Sequence, residues 1–327
     1  MFVGLTRIIA LLTLSLLLFS GPAMAQEGTT WADRLGYPPG EKVVLLHGYG
    51  AGISHETNAA VVELLNSGAL TCASALPPAP WFAHLASNAP DELGLALTIN
   101  SDLPHYRWGP LESESNTRSL VDDQGYFWSR TQQSMVSADP VDVEYEIRAQ
   151  IQRSKELGLK PSHMTTHLGT LYARPDLTEV YLRIAREHWI PAVVVALTQE
   201  QLDRFRSEGF PLPDSLIRLM AEYPLPKLDD LRGCPPADSY EEKKKVFLEL
   251  INGMRPGITQ FALSPAYDSP ALRVLTDDWQ QRVWEAQLLT DNDVRAALSA
   301  DDVRLADWTE LMARFEGRAV EVTEDAE

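Results

Sequence analysis

The chain has 327 residues, 45% of them hydrophobic and 23% charged, an ordinary composition for a folded protein of one large or two ordinary domains. Its net charge of −18 argues against nucleic acid and against anionic membrane surfaces as partners. Two cysteines, Cys72 and Cys234, with no CxxC pair, rule out a cysteine-built zinc site. They leave open either one disulfide or two separate thiols.

The opening MFVGLTRIIALLTLSLLLFSGPAMAQEG carries one Arg7, an apolar run from Ile8 to Phe19, and a small-x-small end at Ala23-Met24-Ala25. This is the pattern of a secretory leader spanning residues 1–25, and it predicts export to a periplasmic or secreted location. The apolar run is shorter than the roughly 20 residues a membrane span needs, so the mature form is expected to be free of the membrane. Residues 26–315 are expected to form a single domain, followed by an acidic tail over 316–327, frayed from Val320 onward.

Strand-like and helix-like segments then alternate. The apolar run Lys42–Leu46 predicts a buried parallel strand, followed by a helix over Glu56–Ser67. Leu70–Ala75 and Leu93–Thr98 read as further strands, with a short helix over Trp81–Asn88 between them. A long polar loop, Asn100–Ser137, holds Tyr106, Trp108, Tyr126, Phe127 and Trp128; loops of that length inside a domain usually serve function. Helical spacing of Val143, Ile147 and Ile151 predicts a helix over Val141–Leu157, closed by Gly158.

KPSHMTTHLGTLYARP follows, a short extended run that sets His163 and His167 four apart ahead of a helix over Asp176–His188. Residues i and i+4 of a strand share a face, so both rings are expected to point inward, as half of a metal site or as a hydrogen-bonded pair. Pro191–Ala196 predicts another buried strand, and Gln199–Tyr223 a helical stretch broken by Pro211 and Pro213. A loop rich in proline and acid leads to a helix over Tyr240–Asn252. Gly257–Leu263 is the last strand, and two or three helices finish the chain. Repeated βα units with apolar strands imply an α/β fold with mainly parallel strands, closed as a barrel-like sheet.

VVLLHGYGAG, a strand followed by His-Gly-x-Gly, raises the possibility of a serine hydrolase using His47 and Ser54, but no serine has the G-x-S-x-G elbow. A more specific likeness runs through LLHGYGAGISHETNAAVVELLNSGALTCAS, PAPWF, ELGLALTINSD, HYRWGPL, SLVDDQGYF, EIRAQIQRSKELGLKPSHMTTHLGTLYARP and PGITQFALSPAYDSPALRVLTDDWQQRVWEAQLL. In these blocks, which span most of residues 42–290, the chain resembles the YdjC/ChbG family of carbohydrate (chitooligosaccharide) deacetylases, in an exported branch. The resemblance implies a (β/α)-barrel-like deacetylase fold, a divalent metal (zinc or magnesium) at the C-terminal strand ends, and an N-acetylated oligosaccharide as ligand.

The chain departs from the family pattern where the chemistry is expected. Tyr49 and Gly50 stand where the family has an Asp-Asp pair, Ala96 where it has a ligand histidine, Thr165 where it has aspartate, and Ser264-Pro265 where it has His-Pro. His167 remains as a residual ligand, with His163 beside it. The resemblance also marks Tyr106, Arg107, Trp108, Tyr172 and Trp81 as sugar-cleft residues, and His55 and Asn58 as kept, in a capping role. Three functions follow. The first is a glycan-binding homologue without catalysis and without metal, in which Tyr49 fills the vacated pocket. The second is a working deacetylase that recruits His163, His167, His47 or Asp102 around a displaced metal. The third is the serine hydrolase.

Overall fold

The computed structural model describes residues 29–90, 92–209 and 212–318. The expected leader and the fraying expected from Val320 onward fall outside them. Helix α1 (Trp31–Arg34) precedes strand β1 (Lys42–Ala51), α2 (His55–Asn66), β2 (Cys72–Ala75), α3 (Phe82–Ala86) and β3 (Leu93–Leu97). Then come α4 (Thr131–Ser137), α5 (Pro140–Glu156), β4 (Met164–Thr166), α6 (Pro175–His188), α7 (Gln199–Ser207) and α8 (Asp214–Glu222). β5 (Asp230–Gly233), α9 (Tyr240–Asn252), β6 (Gly257–Leu263), α10 (Pro270–Leu275), α11 (Trp279–Thr290), α12 (Asn292–Leu298), β7 (Val303–Leu305) and α13 (Trp308–Phe315) complete the chain.

All pairings between these strands are parallel, in the order β4-β3-β2-β1-β6-β5, with β7 against the start of β1. The sheet curls as a half-barrel. Between β4 and β5 the gap is spanned by 192–195 through single bridges, Met164 with Ala192 and Val195 with Leu228. The expected strand over Pro191–Ala196 is therefore extended backbone with two isolated pairings. Its run of valines is buried, as the apolar reading predicted.

β1 alternates between two cores. Val44 and Leu46 face the surrounding helices, packing with residues such as Val61, Ile147 and Tyr181. Val43 and Leu45 face inside the curl with Cys72, Val193, Leu228 and Ile258, where Leu35, Trp308 and Leu311 fill the N-terminal end of the barrel. The structure corrects four further expectations. β1 continues five residues beyond Leu46. Helix α4 and two 3-10 turns lie inside the long polar loop. The proline-rich connection contains β5, which pairs with β6. Four helices follow β6. Cys72 and Cys234 are both free thiols, Cys72 fully buried in the barrel.

Candidate functional site at the C-terminal strand ends

The barrel interior holds two polar arrays. In the first, His47 Nε2 and His163 Nε2 lie 2.8 Å apart, and His163 Nδ1 is 3.0 Å from Ser162 Oγ. Both rings are fully buried, and His163 stacks on Trp308 at 5.5 Å. His47 Nδ1 has no partner among the described residues. One tautomeric arrangement suits this: His47 donates from Nε2, His163 accepts, and His163 Nδ1–H donates to Ser162. The orphaned atom is then a lone pair, which costs less to bury than an unpaired N–H. Burial drives the His163 pKa down to about 3. Burial, with His163 next to it, also puts His47 well below its usual value. Gly94 makes room for the pair, because a Cβ there would lie 2.5 Å from the His163 ring.

The second array crosses the barrel. Trp308 Nε1 donates to Gln260 Oε1 (3.1 Å), Gln260 Nε2 donates to Tyr49 Oη (3.2 Å), and Tyr49 Oη meets Thr165 Oγ1 at 3.3 Å. Burial pushes the Tyr49 phenol up to about 12, so it stays neutral. Ala96 is buried beside Thr165, its register partner.

The mouth is built differently. β4 ends at Thr166, and the chain turns at once into a 3-10 segment in which Leu168 takes φ +54° and Gly169 φ +68°. His167 is thereby carried away from His163 and hydrogen-bonds through Nε2 to Asp102 Oδ1 (2.8 Å). Burial raises the Asp102 carboxyl, but the His167 bond and charge, with Arg282 beyond, outweigh it and hold it below the usual carboxylate range. Trp108 is buried edge-on to the His167 ring at 6.1 Å.

Arg282, from the first turn of α11, enters the same space. Its Nε donates to Asp278 (2.7 Å), and a side chain at Gly50 would begin 3.4 Å from its Nη1. Ser264 donates its backbone N–H to Glu285 (2.6 Å). Glu285 is in turn paired with buried Lys243 at 2.9 Å.

The predicted residues therefore separate. His163 and His47 form the deep pair, whereas His167 and Asp102 form the pair at the mouth. Among the described residues no group of three or more His, Cys, Asp or Glu side chains is arranged to hold a metal ion. Ser54 caps α2 by accepting from Thr57 N–H, so His47 and Ser54 are occupied in different places.

Of the predicted cleft residues, Arg107 pins its own loop through Asp122 (2.6 Å) and the Phe127 carbonyl. Tyr172 is spent on the Val193 carbonyl at 2.7 Å. Trp108 borders His167, and Tyr106 adjoins Trp81. Half-buried Trp81 and exposed His55 and His84 form a surface cluster with ring centroids 5.4 to 6.0 Å apart. Asn58 ties Gly52 N–H to the Trp81 carbonyl, which fixes that platform; the cap is Ser54. Gln260, Arg282 and Glu285 were not foreseen. Their signals were a lone amide in an apolar strand (GITQFAL) and a charged pair three apart in WQQRVWEAQLL.

A curled, all-parallel αβ sheet of this kind defines a class in which loops at the carboxyl ends of the strands build the site. The family model described as YdjC-like protein matches residues 44–300. A carbohydrate deacetylase from Thermus thermophilus is 32% identical over 271 residues, covering 82% of this chain and 93% of that relative. One from Thermoanaerobacter pseudethanolicus is 23% identical over 275 residues, covering 83% and 99%. A crystal structure from Enterococcus faecalis superposes with a TM-score of 0.68 at 20% identity, covering 83% of this chain and 99% of that one, a likeness of fold. The chain belongs to the YdjC-like family.

Proposed function

We propose that this chain is a glycan-binding member of the carbohydrate deacetylase family that has given up metal-dependent hydrolysis. One observation carries the reading. The positions at which the family resemblance expects carboxylates and a ligand imidazole hold the Tyr49 phenol, bonded to Thr165 and Gln260, the bare backbone of Gly50, and Ala96. A divalent cation needs anionic or imidazole donors to replace its water, and His167 alone, already bonded to Asp102, does not supply them. Water activation by a metal is therefore not part of this reading, and no hydrolytic step is derived.

The relatives are carbohydrate deacetylases, which supports a carbohydrate ligand, in our reading an N-acetylated oligosaccharide. The half-buried Trp81 ring, flanked by His55, His84 and Tyr106 beside the strand ends, offers the aromatic face on which a sugar ring can lie. In the same reading the chain is exported, as its leader pattern predicts. The His167–Asp102 pair at 2.8 Å supports the second reading, an active deacetylase with a rearranged site.

Elemental analysis of the purified mature protein after incubation with zinc, nickel, cobalt or magnesium, run beside acetate release from N-acetylated chitooligosaccharides, separates the two. We expect substoichiometric metal, no acetate, and binding that chelator leaves unchanged. Stoichiometric metal with chelator-sensitive acetate release would establish the second reading instead.

A further inference from the structure

Helix α2 carries a stripe that its own packing does not use. His55, Ala59, Val62 and Asn66 fall at i, i+4, i+7 and i+11, so they line one face of the helix from first turn to last, about 16 Å. The opposite face, with Thr57, Ala60, Val61 and Leu64, is the buried one. Along the stripe His55 and Asn66 are exposed, and Ala59 and Val62 are half-buried. His84 and Leu85 of α3, and Asn88 just after it, line the other side of the gap. The gap is a groove of about 480 Å³, within the size range of small-ligand sites.

The groove starts at the Trp81 platform. His55 and His84, at its head, hold their rings 5.6 and 5.4 Å from the Trp81 ring. Buried Asn58 accepts from Gly52 N–H and donates to the Trp81 carbonyl, so α2 and the platform are fixed to one another before any ligand arrives. That lowers the ordering cost of binding. Ala59, Val62 and Leu85 supply apolar surface along the middle. At the far end the Asn66 side chain has no hydrogen-bond partner among the described residues. Asn88 donates from Nδ2 to the His84 carbonyl (3.2 Å), which leaves its Oδ1 for another donor.

The charge is equally specific. No lysine or arginine lines the groove, and its one carboxylate, Glu63, is bonded to the Tyr267 phenol. An anionic ligand would find no counter-charge there. Side-chain amides both donate and accept, which suits the hydroxyls and acetamido groups of a neutral sugar.

We propose that the groove between α2 and α3 is an extended subsite that carries a neutral N-acetylated glycan away from Trp81 along the outside of the barrel. This inference rests on the glycan-binding reading. Trp81 takes the face of one sugar ring, the apolar middle takes acetyl methyl groups, and Asn66 and Asn88 hydrogen-bond the far end. The site therefore selects a chain of several sugars over a short one.

The test is a calorimetric titration of the mature protein with diacetylchitobiose, with tetra-N-acetylchitotetraose, and with hyaluronan tetrasaccharide, which is as long as the second but acidic. We expect the neutral tetramer to bind about tenfold tighter than the dimer, the scale of one or two added hydrogen bonds with some apolar contact. That advantage should fall to about threefold in N66A, which removes one of those bonds, and vanish in V62W, whose indole fills the groove. The dimer should bind both variants as it binds wild type, and hyaluronan should bind wild type more weakly than the neutral tetramer.

Equal affinities of dimer and tetramer in wild type, a full advantage retained in V62W, or tighter binding of hyaluronan would overturn the proposal while leaving glycan binding in place. Thermal melts check that the variants are folded. If V62W is not, N66A decides, because its side chain is exposed and holds nothing in the fold: an undiminished tetramer advantage there overturns the groove. If none of the three sugars binds, the glycan reading falls and the groove with it.

Discussion

The deep barrel and its mouth are a few residues apart along the same strands, yet they are wired in opposite ways. Below, polar groups are matched to one another: Ser162 to His163 to His47, and Trp308 to Gln260 to Tyr49 to Thr165. Above, Gly50 offers no side chain, and the His167–Asp102 pair is only partly buried. A buried polar group without a partner costs about as much as a lost hydrogen bond, so the deep arrays are constrained by folding. The mouth is partly wet, and its residues can change without unfolding the barrel. This explains how strand-end residues can vary in a chain that keeps its family's fold.

The comparison is broken most severely from below. In G94A the new methyl would begin 2.5 Å from the His163 ring and 2.6 Å from the His163 carbonyl, so both ring and backbone must move. We expect a loss of about 3 kcal/mol, at the upper end of overpacking, measured by urea unfolding. A loss below about 1 kcal/mol would mean the barrel yields there easily.

Acid is the next lever. The unfolded chain protonates histidine near pH 6.5, whereas folded His163 resists until about 3, and His47 is shifted the same way. The unfolded state therefore binds more protons, and stability should fall as pH drops below about 6.5, by up to about 1.4 kcal/mol per unit for each ring. Buried Glu146 acts in the opposite sense. Its carboxylate holds the loop through the amides of Leu111 and Glu112, yet burial raises it to about 7. There the folded state binds the extra proton, so between about pH 4.5 and 7 Glu146 lowers stability as pH rises. Chemical denaturation across pH should show E146Q with a steeper acid loss than wild type. Parallel curves would remove the opposing contribution.

The smallest effect is at the mouth itself. Leu168 is 51% exposed in the left-handed region, a conformation that costs a leucine roughly 1 kcal/mol. L168G should raise the melting temperature by a few degrees, about 2–4 °C. Weaker glycan binding in the same variant would show that the strained turn also orients His167.

The apolar strands were legible because each carries its own signal. KVVLL and GITQFAL read as buried from composition alone, and the family likeness placed the barrel. The continuation of β1 through His47-Gly48-Tyr49-Gly50 was hidden, because His47 and Tyr49 face a polar interior and Gly48 meets Leu70, Ala73 and Val61 with no side chain of its own. β5, with sequence DLRG, is short and half charged, and α4, TQQSMVS, lacks an apolar stripe. The two histidines were read as sharing a strand face, but the strand spans only Met164–Thr166, and the left-handed turn after it sends His167 to Asp102. Arg282 and Gly50 are 232 positions apart, a proximity created by the pairing of β1 with β6, after which α11 follows.

That sheet is closed unevenly. Six strands are joined by continuous ladders, but the stave at 192–195 is held by four backbone hydrogen bonds, Met164 to Pro191, Val193 to Met164, Leu228 to Val194 and Ala196 to Leu228. A hoop gives at its thinnest join. Under mild denaturant the amides of Val193, Ala196 and Leu228 are the ones that should trade hydrogen for deuterium first among the barrel strands, ahead of global unfolding. The same join lies beside Tyr172 and β4, so any breathing of the barrel reaches the turn that carries His167 before it reaches β1.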